Sequence, residues 1–541
     1  MRKQMQENVC TNRPEWLETA AFYEIYPQSF QDSNADGIGD INGIIQRLDY
    51  IHNLGCTALW INPCFDSPFK DAGYDVRNYT LVAPRYGTND DLVRLFDEAH
   101  RRGMHVLLDL VPGHTSEEHP WFKASAQPEE RDRVVGDDNV SERYIWTDTW
   151  ISNGDGLPFI GGEAERDGTY ILNFFKCQPA LNYGFAHPRR AWQKPALGPE
   201  AIATCDAMVD VMRFWLSRGA DGFRVDMADS LVKQDDEGKP FTIRTWQYIF
   251  SKIRPEFPEA AFVSEWGRPY ESLKAGFDMD FYLDWRWDGN PNGYNMLLRN
   301  TDTPLSHDND ASYFNADSGT PVDAFLGQYV PQLRDAERYH GLFNLITCNH
   351  DTLRTAQRLT DRERKLAYAT LLTLPGAPFI YYGDEIGMRY LPMRSKEGGY
   401  NRTGSRTPMQ WDHGANLGFS QGRADDLYLP VDPAADAPTV EDAMANDDSL
   451  WHVIQSVLAL HKSEAALHTT AGFDVIQGEG RAFAFARTTG DERLVIAVNP
   501  GRNVEHVAVD GLDGDALFAI DSPAFEEGGI MLPPQSFVIA R

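Results

Sequence analysis

Eight short apolar runs recur along the chain, each separated from the next by a stretch with helical periodicity, and this alternation restricts the fold more than any other feature. Most runs carry apolar residues at consecutive positions, which is typical of parallel strands covered on both faces. We therefore predict the α/β class, with a (β/α)8 TIM barrel in preference to an open sheet. The predicted strands are Phe22–Tyr26, Thr57–Ile61, His105–Leu110, Asp221–Val225, Ala261–Ser264, Asp278–Leu283, Leu342–Thr347 and Pro378–Tyr382.

Two stretches interrupt this rhythm and indicate further domains. Residues 115–183 are rich in Gly, Asp, Glu and Pro, and we predict that they form an insert domain after the third strand. Residues 465–541 switch to short alternating runs, which predict a C-terminal antiparallel β-sandwich. The barrel domain then comprises residues 1–114 and 184–464.

Charge and cysteine content restrict the partners and the compartment. Eighty acidic residues against fifty basic ones give a formal charge of −30, which disfavours nucleic acid and anionic membrane surfaces and favours a neutral or cationic substrate. The six cysteines are scattered without a CxxC pair, no signal peptide is visible, and no apolar run reaches the roughly 20 residues of a membrane span. We expect a cytoplasmic protein and leave its oligomeric state open.

Acidic residues follow several of the predicted strands. Asp226 ends the fourth strand, Glu265 the fifth and Asp351 the seventh, with Arg224 and His350 beside them in the sequence. The carboxyl ends of barrel strands meet at one face, so these side chains should share one cavity. Several carboxylates without a phosphate loop or metal-type histidine spacing favour glycoside hydrolysis. Any one of these acids alone is as readily explained as a surface group or a helix cap, but three at strand ends of one barrel are not.

The two central acids are expected to differ in protonation. Arg224 stands two positions before Asp226 on a strand, so both point to the same side and the arginine would keep Asp226 ionised. Glu265 stands beside Trp266 and would keep its proton through desolvation.

Several further motifs occur in a characteristic order. They are Asp32-Ser-Asn-Ala-Asp-Gly-Ile-Gly-Asp40, Gly73-Tyr-Asp75, Gln178-Pro-Ala-Leu-Asn182, Tyr381-Tyr-Gly-Asp-Glu-Ile-Gly387 and Arg406-Thr-Pro-Met-Gln-Trp-Asp412. With the strand-end acids, these segments resemble the α-amylase superfamily, glycoside hydrolase family 13. The resemblance runs from about residue 20 to the C-terminus, and its details are similar to the oligo-1,6-glucosidase, α-glucosidase and trehalose synthase group.

The resemblance implies roles for the acids. Asp226 would be the nucleophile, oriented by Arg224, and Glu265 would be the general acid and base. Asp351 would bind the 2- and 3-hydroxyls of the sugar. The family retains the α configuration, which implies that the Asp226 and Glu265 carboxyl groups lie about 5–5.5 Å apart.

The resemblance also implies a substrate-binding set. Tyr74 would stack under the sugar, and His114 and His350 would hydrogen-bond to it. Asp71 and Arg406 match positions that clamp the 4-hydroxyl of a terminal glucose, which would make the enzyme exo-acting. A surface acid and a structural arginine in a loop are the alternative explanation of these two residues.

The loop from Asp32 to Asp40 carries oxygen donors at alternate positions, with a glycine that permits a sharp turn. This pattern is similar to EF-hand calcium chemistry. By resemblance, a structural Ca²⁺ would be held by Asp32, Asn34, Asp36, the carbonyl of Ile38, and Asp40. The alternative is a polar turn in which Asp40 caps the following helix.

The implied function is a retaining, exo-acting α-glucosidase for short α-glucosides, with transglucosylation left open. The alternative is a trehalose synthase-like or sucrose-active isomerase or transglucosidase with the same catalytic residues. A non-catalytic, transporter-associated relative would have lost the acids, which are present. Gly113, Ala180 and Met227 depart from the residues usual in the family, so the preferred linkage stays open.

Overall fold

The structure is a computed structural model that describes residues 13–132, 140–151, 154–283, 292–298, 311–398, 402–512 and 514–541. Eight parallel strands form one sheet in which each strand pairs with the next along the chain, and the eighth pairs with the first. The sheet closes into a barrel where Ile346 bridges to Phe379. Barrel strands 1 to 8 are Phe22–Ile25, Ala58–Ile61, His105–Leu110, Gly222–Val225, Ala261–Ser264, Met279–Phe281, Leu342–Asn344 and Phe379–Tyr381.

All eight predicted strands are confirmed, most of them slightly shorter than expected. The seventh ends three residues early, at Asn344. The amide of Tyr381 is satisfied by the side-chain hydroxyl of Thr347 at 3.2 Å, so part of the ladder is replaced by a side-chain bond. Every strand residue except His105 is buried, which explains why most of the runs carry apolar residues at consecutive positions.

Helices cover the outside of the barrel. Side chains cap the first turns of some of these helices; the Asp40 carboxylate accepts the Gly43 amide at 2.7 Å, and Thr88 forms a capping box with Asp91. None of the helices in the described ranges has the length and apolar character needed to cross a bilayer. The α-helices are Ile41–Gln46, Leu48–Leu54, Asn89–His100, Pro120–Ser125, Pro199–Leu216, Pro240–Ile253, Pro269–Ala275, Gly293–Leu298, Asp323–Arg338, Asp361–Leu371, Val440–Ala445 and Leu450–Ser463.

Two excursions leave the carboxyl face of the barrel. The first follows strand 2 and contains the hairpin of Phe65–Asp66 with Asn78–Val82. The second follows strand 3, in the predicted insert, and contains the hairpin of Phe159–Gly161 with Thr169–Ile171. The insert and domain boundaries themselves stay predictions. Both excursions supply side chains to the site described below.

The C-terminal region is antiparallel, as predicted, and forms two sheets. Alternate residues face opposite sides of its longest strands: Phe483 and Phe485 join the main core, whereas Ala484 packs in a separate apolar cluster with Val507 and Ile530 of the second sheet. The two sheets therefore enclose a small core of their own. In spatial order, the first sheet contains Gly472–Gln477, Phe483–Thr489, Glu492–Asn499, Ser536–Ala540 and Ala516–Ile520, and the second contains Glu505–Ala508, Gly529–Leu532 and Ala524–Glu526.

Candidate active site

One buried arginine joins the acids at the tips of three neighbouring barrel strands. Nη1 of Arg224 donates to Oδ1 of Asp109 at 2.9 Å and to Oδ1 of Asp226 at 3.0 Å. Nη2 of the same guanidinium lies 2.9 Å from Oε2 of Glu265. The arginine is only 2% exposed, so these charge-assisted contacts lie in a region of low dielectric. The structure thus brings Asp226 and Glu265 together around one cation.

The backbone next to Asp226 also contacts Glu265. The amide of Met227 donates to Oε2 of Glu265 at 2.8 Å. Met227 adopts a left-handed conformation with φ of 40°, which is unusual for a residue with a side chain. This turn directs the amide from the fourth strand towards the acid on the fifth, so the strain is located at the site itself.

Burial shifts both central acids towards neutral pH. It raises the pKa of Asp226 to about 6 and the pKa of Glu265 to about 7, and the positive charge of Arg224 opposes both shifts. Asp226 is therefore the more acidic of the two, as expected. Trp266, the residue that follows Glu265, is itself buried, and its indole donates to Glu271 at 2.8 Å. General burial supplies the desolvation.

Asp351, at the tip of strand 7, is surrounded by cations. Its Oδ1 accepts from Arg402 at 2.6 Å and from Arg406 at 2.9 Å, and its Oδ2 lies 3.2 Å from Nε2 of His350. Burial alone would raise its pKa, but His350, Arg402 and Arg406 outweigh burial and hold the pKa well below its usual range. Asp351 is thus a fixed anion, and its charge also raises the pKa of Asp226 and Glu265.

His350 connects Asp351 to the acids around Arg224. Its Nδ1 donates to Glu24 at 2.8 Å, and its Nε2 donates to the Tyr74 hydroxyl at 2.6 Å. That hydroxyl donates in turn to Asp109 at 3.1 Å. Burial would lower the pKa of His350, but the charges of Asp351 and Glu24 raise it to about 9. The ring is therefore an imidazolium, stacked on Tyr74 with ring centroids 5.4 Å apart.

Asp71 forms an ion pair with Arg402, which stands four positions before Arg406. Nη2 of Arg402 donates to Asp71, and the amide of Gln178 donates to the same carboxylate at 2.7 Å. Arg406 is fully buried and binds Asp351, Glu397 and the carbonyl of His350 instead. Because its guanidinium is occupied there, Arg402 is the residue that joins Asp71 to Asp351.

His114 is buried with both ring nitrogens engaged by protein groups. Its Nε2 donates to the Tyr74 carbonyl at 3.1 Å, and its Nδ1 accepts from Asn173 of the insert at 3.2 Å. Burial lowers its pKa to about 3, so the ring is neutral. A Cβ on Gly113 would lie 2.7 Å from the Asn173 amide nitrogen, so glycine at 113 leaves room for this contact.

The family model for the alpha-amylase catalytic domain matches residues 24–470. The chain belongs to the alpha-amylase family. Trehalose synthase/amylase TreS from Mycobacterium tuberculosis is 32% identical over 90% of this chain and 82% of its own length. Glucan 1,6-alpha-glucosidase from Streptococcus pneumoniae is 30% identical over 92% of this chain and 93% of its own length. The protein is a glycoside hydrolase.

Solved structures of the alpha-amylase family share its architecture. An isomaltulose synthase mutant from Erwinia rhapontici NX5 in complex with D-glucose superposes with a TM-score of 0.78 over 97% of this chain and 99% of that one, at 22% identity. A mutant of MutB in complex with the substrate sucrose superposes with a TM-score of 0.79 over 98% of this chain and 100% of that one, at 23% identity.

The loop that the sequence predicts to bind calcium is folded as a turn around Asp32. Asp32 accepts the amides of Asn34, Ala35 and Gly37 at 2.8–3.0 Å, and Gly37 has φ of 87°. The five candidate ligands offer only hard oxygen donors, which Ca²⁺ prefers. Within the described ranges, however, no three acidic, histidine or cysteine side chains gather as a metal cluster. The carboxylates hold the loop through its own amides.

Three residues of the site were missed by the sequence analysis. Glu24 is the only acid in an otherwise apolar strand run, and that isolation was a usable signal. Asp109 lies one position before the end of strand 3 and binds Arg224. Arg402 stands in an irregular segment, and nothing in the neighbouring sequence marks it as a partner of Asp71.

Proposed function

We propose that this protein is a retaining, exo-acting α-glucosidase for short α-glucosides. The observation that carries the proposal is the single guanidinium of Arg224, which binds both Asp226 and Glu265 at the tips of adjacent strands. Two carboxyl groups on one guanidinium are close neighbours, and a retaining enzyme needs its two carboxyl groups about 5–5.5 Å apart. Their different pKa values support the division into nucleophile and acid.

The proposed reaction has two steps. In the first, a carboxylate oxygen of Asp226 attacks the anomeric carbon, and the leaving oxygen takes the proton of Glu265. In the second, water or a sugar hydroxyl gives its proton to Glu265, its oxygen bonds to the anomeric carbon, and Asp226 is released. Two inversions restore the α configuration. Transglucosylation is the second step with a sugar as acceptor.

Exo-action is supported by the contacts of Arg402. This arginine joins Asp71 to Asp351, so that a row of paired charges stands beside the catalytic acids. Such a wall would offer hydrogen bonds to the hydroxyls of one terminal glucose. We assign Asp71 and Arg402 to the terminal 4-hydroxyl, with Arg406 behind Asp351.

The pH dependence of kcat/KM is expected to be a narrow bell. Asp226 must be ionised to attack, so the rate falls as pH drops through about 6. Glu265 must be protonated to assist departure, so the rate falls as pH rises through about 7. The two limbs belong to the interacting pair. Initial rates on maltose across pH test this, and a basic limb that persists in Glu265→Gln would contradict the assignment.

A second candidate function is a trehalose synthase-like or sucrose-active isomerase or transglucosidase. It is favoured by the relative named trehalose synthase/amylase, which is 32% identical to this chain. Both candidates share the first step and differ in which nucleophile enters the second. The chemistry around Asp226 is therefore the same for both, and product identity separates them.

A disaccharide panel tests both candidates. We expect maltose, isomaltose or sucrose to release glucose, which NMR should detect first as the α anomer. Trehalose from maltose, or isomaltulose and trehalulose from sucrose, would establish the second candidate instead. First release of β-glucose would refute a retaining mechanism, and inertness towards the whole panel would refute both functions.

We further propose a structural Ca²⁺ held by Asp32, Asn34, Asp36, the Ile38 carbonyl and Asp40. The ion would neutralise the three carboxylates and stabilise the loop that precedes the first barrel helix. Its removal with EDTA is expected to lower Tm, because an ion at 100 times its Kd adds about 2.7 kcal/mol to the free energy of unfolding.

Calorimetry with EDTA, followed by Ca²⁺ or Mg²⁺ addition, measures this effect. Ca²⁺ should restore the transition, and Asp36→Ala should make the melt insensitive to EDTA. An unchanged melting transition, with no calcium found by elemental analysis, would refute the proposed calcium site.

A cytoplasmic location remains part of the proposal. The five cysteines in the described ranges are thiols and form no disulfide there, which suits a reducing compartment. The charge of −30 still disfavours nucleic acid and anionic membranes as partners. Fractionation of cells that express the protein checks the compartment.

A further inference from the structure

Asp280 is a buried acid on barrel strand 6 that contacts the residues on both sides of Glu265. Its Oδ1 accepts from the Ser264 hydroxyl at 2.9 Å, the Trp266 amide at 3.2 Å and the Gly267 amide at 3.1 Å. Its side chain is fully buried. One carboxylate oxygen therefore holds the end of the fifth strand immediately before and after the proposed acid.

Other contacts also restrain the segment that Asp280 holds: the Glu265 carbonyl accepts from the Ala228 amide at 3.2 Å, and the buried Trp266 indole donates to Glu271 at 2.8 Å. The amide of Glu265 still belongs to the barrel, donating to Val225 at 2.9 Å. At Gly267 the chain turns out of the strand with φ of 72° and leads into the helix Pro269–Ala275. Without Asp280, two amides in this turn would be left without their acceptor, and buried unpaired amides cost stability. The turn would shift to satisfy them and carry Glu265 with it.

A buried acid such as Asp280 is unfavourable for the free energy of unfolding if its role is only structural. No basic side chain forms an ion pair with it within the described ranges, and burial raises its pKa to about 7. A buried acid without a cation lowers the free energy of unfolding relative to a neutral residue. Such a loss of stability is typical of a group whose role is to position another residue.

We propose that Asp280 is a positioning residue for Glu265, holding the turn at residues 266–267 so that the carboxyl group meets the leaving oxygen. The inference rests on the proposed role of Glu265 as acid and base. It assigns Asp280 no contact with the substrate.

The test compares substrates that do and do not need a proton on the leaving group. Maltose needs one, whereas α-glucosyl fluoride releases fluoride without general acid help. Displacing the acid by about 1 Å costs on the order of 100-fold, so Asp280→Ala should lose ~100-fold in kcat/KM on maltose and under about 5-fold on the fluoride. Asp280→Asn keeps an oxygen for the same three donors and should stay within about 5-fold on both.

Asp278 provides a matched control on the same strand. Asp278 is also buried. It accepts from the Arg254 guanidinium and from the Phe262 amide, both at 2.8 Å, and Phe262 stands three residues before Glu265. Asp278→Ala should lower Tm and reduce kcat/KM on both substrates in the same proportion. If Asp280→Ala does not fold, Asp280→Ser, whose hydroxyl is too short to reach both amides, should show the same substrate pattern.

The outcomes separate this inference from the proposed function. Glu265→Gln should itself lose far more kcat/KM on maltose than on the fluoride. If it does not, the assignment of Glu265 as the acid fails. Suppose that Glu265→Gln loses more kcat/KM on maltose than on the fluoride, but the folded Asp280 variant loses kcat/KM equally on both substrates. Only the positioning role is then overturned. Failure of Asp280→Asn to retain activity on maltose also overturns it.

Discussion

Asp226→Asn is expected to lower kcat/KM on α-glucosides by at least about 1,000-fold, which corresponds to roughly 4 kcal/mol of transition-state stabilisation. Asparagine has nearly the shape of aspartate, and its side-chain oxygen still accepts from Arg224, so the site keeps its arrangement. An amide is nevertheless neutral and a poor nucleophile. The covalent step then has no attacking group.

Initial rates, Tm and the intact mass of the protein during slow turnover measure this effect. The wild type should show a covalent adduct of one glucosyl unit that the variant lacks. Asp221→Asn is a suitable control, because Asp221 lies just before the first residue of the same strand and binds His100 and His105. It should cost stability with little loss of activity. Full activity of Asp226→Asn would refute the assignment of the nucleophile.

Arg224→Met is expected to move the whole pH profile upward and to destabilise the protein. The guanidinium is the cation that contacts Asp109, Asp226 and Glu265. Without it, three buried acids face one another, so their pKa values rise and Asp226 is protonated at neutral pH. Breaking a buried pair by removing one partner costs about 3–5 kcal/mol of unfolding free energy. Activity near pH 6.5 should therefore fall by on the order of 100-fold or more.

The position of the pH optimum separates this mechanism from simple unfolding. Part of the activity should return at higher pH, where Asp226 ionises again. Arg254→Met is the matched control, since Arg254 also binds a buried acid, Asp278, at the opposite end of the barrel. It should lower Tm and leave the optimum unchanged. An unshifted optimum in a folded Arg224→Met would contradict the electrostatic role.

Some features of the site follow from local sequence alone. Buried parallel strands carry apolar residues at most positions, so the eight strands were visible as short runs with clear ends. The residues at those ends must then meet at one face of a barrel. For this reason the proximity of Asp226 and Glu265, on adjacent strands, was predictable before any coordinate was known.

Other features depend on contacts between distant parts of the chain. Arg402 binds Asp71 across 331 positions, and His350 binds Glu24 across 326. By resemblance, the sequence analysis placed Asp71 and Arg406 at one glucose hydroxyl. The ion pair of Asp71 with Arg402, four positions before Arg406, was not foreseen. Side-chain direction in an irregular segment is set by packing and hydrogen bonding, and local periodicity carries no information about it.

The order of residues along the chain determined the barrel, its strand tips and the acids that those tips carry. Tertiary structure decided which cation meets which carboxylate and how far burial moves each pKa. The reason is physical: strand formation responds to the apolar pattern of a few neighbouring residues, whereas a pKa responds to every charge and every dry contact within several ångströms, whatever their distance in sequence.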